Sequence, residues 1–121
     1  MSKFQTLEQF RSNFGSNPVE VKLPQFAKDG AFSGVTVFLK PLTSRERDNF
    51  EASVVGIGGE GRDLQNLRAR LVAKSLCDKD GQPIGTEDEI GDLRADFVGA
   101  VFDEVRSLNG MADDIDETGK D

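Results

Sequence analysis

Between Val35 and Phe50 the chain reads VTVFLKPLTSRERDNF, an alternating run that passes within a few residues into a helix start. Val35, Val37 and Leu39 share one face of a two-residue repeat, the signature of a half-buried strand. Thr43 and Glu46 form a T-x-x-E box, whose side chains satisfy amides that a helix start leaves without partners. A strand feeding directly into a capped helix has one apolar face on each element, and both must be buried in a shared core. The expected class is therefore mixed, with sheet and helices packed on one another.

The rest of the chain supplies the partners. Val19, Val21 and Leu23 alternate with Glu20 and Lys22, and the Lys28-Asp29-Gly30 turn signal leads on to the Val35 run, which predicts a two-stranded antiparallel hairpin. Before it, Thr6 and Gln9 form a capping box, Phe4, Leu7, Phe10 and Phe14 recur near helical spacing, and Gly15 can close a short helix. After it, the spacing predicts a helix from Ser44 to about Val55 with Phe50 and Val54 inward, broken at Gly56 to Gly61. A third helix carries Leu64, Leu67, Leu71 and Leu76 as its apolar stripe, with Cys77 beside it and Arg62, Arg68 and Arg70 in solvent. Asp80-Gly81 and Pro83 make a turn. Thr86 and Glu89 then cap the longest helix, Glu87 to Leu108, where Ile90, Leu93, Phe97, Val98, Val101, Val105 and Leu108 repeat at three and four before Asn109-Gly110 stops it.

A chain of 121 residues with 36% hydrophobic and 31% charged residues fits one domain with a modest core. The expected organisation is a single α+β domain over 1–110, an N-terminal two-stranded antiparallel hairpin on three to four helices. An acidic tail over 111–121, expected to be disordered, follows. The net charge of −7 repels phosphate backbones and anionic lipid, so neither nucleic acid nor a membrane is an expected partner. MSKFQTLEQF has no apolar signal core, and no run approaches the roughly 18 residues of a membrane span. The chain reads as cytosolic.

No histidine, tryptophan or tyrosine is present, and Cys77 is the single cysteine. Intramolecular disulfides, Cys/His zinc sites and histidine acid–base pairs are therefore excluded, and Cys77 reads as a buried structural thiol. Two patterns imitate binding sites. Gly56-Ile57-Gly58-Gly59-Glu60-Gly61 satisfies G-x-G-x-x-G, but it follows a helix rather than a strand and Glu60 repels phosphate, so a loop is the better reading. Asp78, Asp80, Gln82, Ile84, Thr86 and Glu89 match a calcium-loop count, but Pro83 stands where that loop needs glycine. No catalytic residue, cofactor or metal site is expected.

What remains is a surface. Phe97 and Phe102 flank the Val98/Val101 row, an apolar arc broader than a minimal seam, with Phe26, Phe32 and Phe38 as further candidates. Phe97, Val101, Phe102 and Val105 are the expected partner contacts, with Arg62, Arg68 and Arg70 as a polar rim, suited to gripping an amphipathic helix.

Taken in order, VTVFLKPLTSRERDNFE, the leucine-rich helix ending LVAKSLCDKDGQPI, the final helix closing in Leu108-Asn109-Gly110 and the acidic tail resemble the tail assembly chaperones of long-tailed bacteriophages. The resemblance covers most of the chain from Val35 onward and rests on order and diffuse pattern. It implies a non-enzymatic protein that binds the tape measure protein, keeps it soluble before the tail tube polymerises, and acts in the host cell cytoplasm without entering the mature virion. It also implies a longer product made by ribosomal frameshifting, with Gly119-Lys120 compatible with the slippery codons, that recruits the tail tube protein. Self-association is left open. The alternatives are a minor structural tail or head-tail connector protein retained in the virion, a nucleotide-binding enzyme using the glycine-rich loop, and an acidic inhibitor of a DNA-binding enzyme.

Overall fold

The structure, a computed structural model, describes residues 3–24, 29–32, 34–55 and 64–111. Its elements run α1 (Leu7–Phe14), β1 (Val19–Lys22), β2 (Thr36–Leu39), α2 (Ser44–Val55), α3 (Leu67–Ser75), β3 (Leu76–Cys77), α4 (Glu87–Gly91) and α5 (Ala95–Leu108). The class is α+β. The hairpin forms with Val19 opposite Leu39 and Val21 opposite Val37, which places the alternating apolar residues of both strands on one face. A third, short strand extends it to the order β1-β2-β3, antiparallel throughout, with Phe38 opposite Cys77 and Leu39 opposite Leu76.

The junction behaves as its sequence demands. Thr43 Oγ1 accepts the Glu46 amide at 3.1 Å, Glu46 Oε1 accepts the Thr43 amide at 2.9 Å, and α2 runs from Ser44 with Phe50 and Val54 buried. Helices α3 and α5 pack against each other, and α4 closes on α3. Leu39, Leu71, Val72, Val101 and Val105 have no exposed surface, so the centre of the core lies where the sheet meets these two helices. Each such side chain contributes roughly 1.5–3 kcal/mol through burial. Ser75, the buried polar residue among them, is satisfied: its hydroxyl donates to the Lys40 carbonyl at 2.8 Å, and the Lys40 amide donates to the Ser75 carbonyl at 2.9 Å.

Three expectations are corrected. Leu76 and Cys77 belong to β3 rather than to the preceding helix, because α3 ends at Ser75 and Leu76 turns extended at φ −68°, ψ 122° to pair with Leu39. The expected Glu87–Leu108 helix is two helices. The Leu93 amide closes α4 onto the Ile90 carbonyl at 3.1 Å, and Arg94 then opens to φ −53°, ψ 137° before α5 begins. Met111, assigned to the tail, is buried. Gly110 adopts φ 67°, its amide donates to Ser107 and the Met111 amide to Arg106, the bond pair that closes a helix over a left-handed glycine and turns the next apolar side chain inward. The glycine-rich loop and the acidic segment after Met111 lie outside the described residues.

Candidate interaction surface

Among the described residues, two groups of apolar side chains stand out at the surface. The first is α1. Thr6 and Gln9 cap it reciprocally, and Gly15 ends it in an extended conformation where a Cβ would meet the Arg11 carbonyl oxygen at 2.6 Å. The three- and four-residue spacing gathers Phe4, Phe10 and Phe14 into one cluster, with ring centroids 5.4–6.3 Å apart. No residue of α1 is buried, and Leu7 and Phe14 are 64% and 69% exposed. Taking about 200 Å² for each large apolar side chain, Phe4, Leu7, Phe10 and Phe14 leave on the order of 400 Å² exposed, within the range of the largest apolar patch on a typical monomer, which is often functional. The linker that follows is anchored, with the Ser16 hydroxyl donating to the Pro41 carbonyl.

The second feature is a groove of about 420 Å³ along the open end of the sheet, lined by Thr36, Val37, Phe38, Leu76, Cys77, Asp78, Lys79, Ile84, Leu93 and Phe97. Its origin is topological. Strand β3 pairs only with Phe38 and Leu39, so the Thr36–Val37 end of β2 has no strand beside it there. The chain turns away because Asp78 Oδ1 accepts the amides of Asp80 and Gln82 at 2.8 and 3.0 Å, a local turn that diverts the strand. Asp78 Oδ1, on the first residue of the calcium-loop count, thus serves backbone amides of its own turn. Ile84 and Leu93, 56% and 46% exposed, stand over the groove.

The expected contact residues are placed differently. Val101, Phe102 and Val105 are 0%, 3% and 0% exposed, because α3 covers the face of α5 that carries them. They are core and present nothing to a partner in this fold. Phe97 is half-buried, edge-on to Phe32 at 6.1 Å, and lines the groove. Arg68 and Arg106 lie over the Phe102 ring at 5.6 and 5.2 Å, and Arg70 lies over Phe50 at 5.9 Å while donating to Ser53 Oγ and the Gln65 carbonyl. Arg68 and Arg70 thus lid aromatic rings rather than rim a patch. Arg62 and Phe26 lie outside the described residues, Phe32 is buried and Phe38 is half-buried. Phe4, Leu7, Phe10, Phe14, Ile84 and Leu93, none of them among the expected contacts, are instead the exposed apolar side chains of these two features. The stripe of α1 is legible in the sequence; that no residue of the helix is buried is not.

Asp78 and Lys79 put one charge of each sign on the groove's lining, and a further charged cluster stands at the start of α5. Arg94 binds Asp29 at 2.9 Å and Asp96 at 2.6 Å, tying the 29–32 loop, and with it Phe32, to the start of α5. The hydrogen bonds from Arg94 hold both carboxyls below the ordinary carboxylate range, and the two carboxylates raise the guanidinium in turn. Hydrogen bonds at the Thr86 cap similarly lower Glu89. Burial pushes the Cys77 thiol up, opposed in part by Lys40. Among the described residues no three Cys, Asp or Glu side chains are grouped to hold a metal ion, and no helix is long and apolar enough to cross a membrane. Compared with protein-family models, with curated proteins and with solved structures, the chain matches none.

Proposed function

We propose that the chain is a tail assembly chaperone of a long-tailed bacteriophage, which binds the tape measure protein and keeps it soluble until the tail tube forms around it. The observation that carries the reading is α1, a capped helix whose three large apolar side chains, Leu7, Phe10 and Phe14, are all exposed, with Phe4 packed beside them just before it. A client with long amphipathic helices offers apolar stripes that match such a helix at the same spacing, and covering them prevents aggregation. Net charge of −7 on each bound copy keeps the covered client dispersed by mutual repulsion. The order of the strand-to-helix junction, the leucine-rich helix and the acidic end supports the same reading. The protein acts in the host cytoplasm, turns over no substrate and leaves before the virion is complete, while a longer frameshifted form brings in the tail tube protein.

Co-expression with the long helical tape measure candidate encoded beside it tests this. The parent is expected to yield a soluble, co-purifying complex, and a Phe10→Asp/Phe14→Asp variant to leave the client insoluble. A client equally soluble alone, with no co-purification, overturns the reading. The chain's presence in purified particles would favour a structural tail or connector protein.

A further inference from the structure

We propose that the acidic segment 112–121 turns back over the α1 arm of its own chain and shields that arm until a client displaces it. The two meet at their roots. The Ser16 hydroxyl, just past α1, donates to the Pro41 carbonyl, and the next residue, Leu42, donates its amide to Asn109 Oδ1 at 2.8 Å. The base of the arm and the close of α5 are thus fastened to consecutive residues. The segment starts from the buried Met111, two positions after Asn109. Its ten residues reach up to about 33 Å when extended, against roughly 12 Å for the eight residues of α1.

Charge selects this occupant. The segment carries five carboxylates against Lys120, −4 of the chain's −7. On the arm Lys3 and Arg11 outnumber Glu8, and Arg11, four residues after Leu7, borders the exposed apolar face. Arg94 is taken by Asp29 and Asp96, and Arg47 by Glu51, whereas Lys3 and Arg11 form no ion pair among the described residues. Ile115 stands between Asp114 and Asp116. Seated against Phe10 and Phe14, it brings a carboxylate on either side to the basic border. Exposed ion pairs are individually weak, but tethering sets an effective concentration on the order of millimolar, so a contact of about millimolar intrinsic affinity is half occupied. Such a cover keeps the aromatic face from unspecific association and yields to a tighter ligand. It serves whichever client the arm takes.

Fluorescence quenching on the full chain with no client present tests the contact. Phe10→Trp supplies the reporter, because the chain has no tryptophan of its own, and acrylamide, being neutral, is not repelled by carboxylates. At low salt the reporter is expected to be quenched about twofold more slowly than in a variant that also carries Asp113→Asn, Asp114→Asn, Asp116→Asn and Glu117→Gln. Arg11→Gln in the reporter should remove part of the protection. The gap between acidic and neutral segments should close as salt approaches about 1 M, where screening acts within roughly 3 Å. All substituted positions lie on the exposed arm or beyond Met111, and unchanged far-UV circular dichroism verifies that each variant is folded. Equal quenching with acidic and neutral segments at low salt overturns the proposal. So does protection that grows with protein concentration, because that outcome means a second copy covers the arm.

Discussion

Asn109 closes onto Leu42: its Oδ1 accepts the Leu42 amide at 2.8 Å across 67 positions of sequence, joining the end of α5 to the strand-to-helix junction. The same side chain donates through Nδ2 to the Val105 carbonyl at 2.8 Å, and the Asn109 carbonyl accepts from Arg47 at 3.2 Å. One residue thus fastens the last helix to both β2's exit and α2. Removing it leaves a half-buried amide without a partner.

Asn109→Ala is therefore expected to cost about 1–3 kcal/mol, lowering the thermal midpoint by several degrees. Urea denaturation followed by circular dichroism measures it. A change within about 0.5 kcal/mol would mean that solvent replaces the side chain at Leu42 and that this clasp contributes nothing.

Legibility followed locality. Helix α2 could be read to its ends because the Thr43–Glu46 box and the Phe50/Val54 spacing are local. The left-handed stop at Gly110 is local in the same way, although Met111's burial depends on what it meets. Leu76 and Cys77 continue the apolar spacing of Leu67 and Leu71, so only their pairing with Leu39 and Phe38 reveals a strand. The break after Gly91 was hidden for a related reason: Ile90, Leu93 and Phe97 keep helical spacing across it, while the Arg94–Asp29 pair that accompanies the opening joins residues 65 apart. Periodicity names the apolar face of a helix and is silent about its cover. Patterns of the same kind mark Val101, Phe102 and Val105 as expected contacts and Phe10 and Phe14 as one face of a short helix, and neither pattern says which set a neighbouring element covers.

Substitution at the two sets separates them. Phe102→Ala is expected to cost about 3–5 kcal/mol through lost burial and a cavity. Phe10→Ser is expected to fall within about 0.5 kcal/mol of the parent, measured at concentrations where the chain is monomeric. Thermal unfolding of the two variants side by side decides the matter. A tolerated Phe102→Ala, with a costly Phe10→Ser in the monomer, would reverse the assignment of core and arm.

The Arg94 cluster predicts a pH dependence with a definite sign. Asp29 and Asp96 titrate below the ordinary 3.8 in the folded chain, so on acidification the unfolded chain takes up their protons first. Their stabilisation is fully present above about pH 5 and is lost as pH falls through the depressed values. Arg94→Gln should therefore differ from the parent in urea midpoint at neutral pH, with the difference vanishing well below the carboxylate range. The cluster is exposed, so added salt should shrink the difference. A difference constant from neutral to strongly acid pH would show that Arg94 acts through packing rather than charge.

Cys77 reports on the groove wall. Its side chain is 2% exposed, its thiol donates to the Phe38 carbonyl at 3.5 Å, and the turn above it is held by the Asp78 amide on Gln82 at 2.9 Å and the Ile84 amide on Leu76 at 3.3 Å. A thiol reagent reaches the sulfur only when this wall opens. Native labelling should be slower than labelling of the unfolded chain by roughly a hundredfold or more. The raised pKa adds a second mark, since the native rate should go on rising with pH beyond the ordinary thiol value of 9.0. Gly81 sits in the turn at φ 87°, with Pro18 Cγ 3.5 Å from where a Cβ would be. Gly81→Val strains that turn and is expected to accelerate labelling about tenfold, the effect of a left-handed β-branched residue. Equal rates for Gly81→Val and the parent would mean that Cys77 is reached through global unfolding alone, and that the wall beside the groove is as firm as the core.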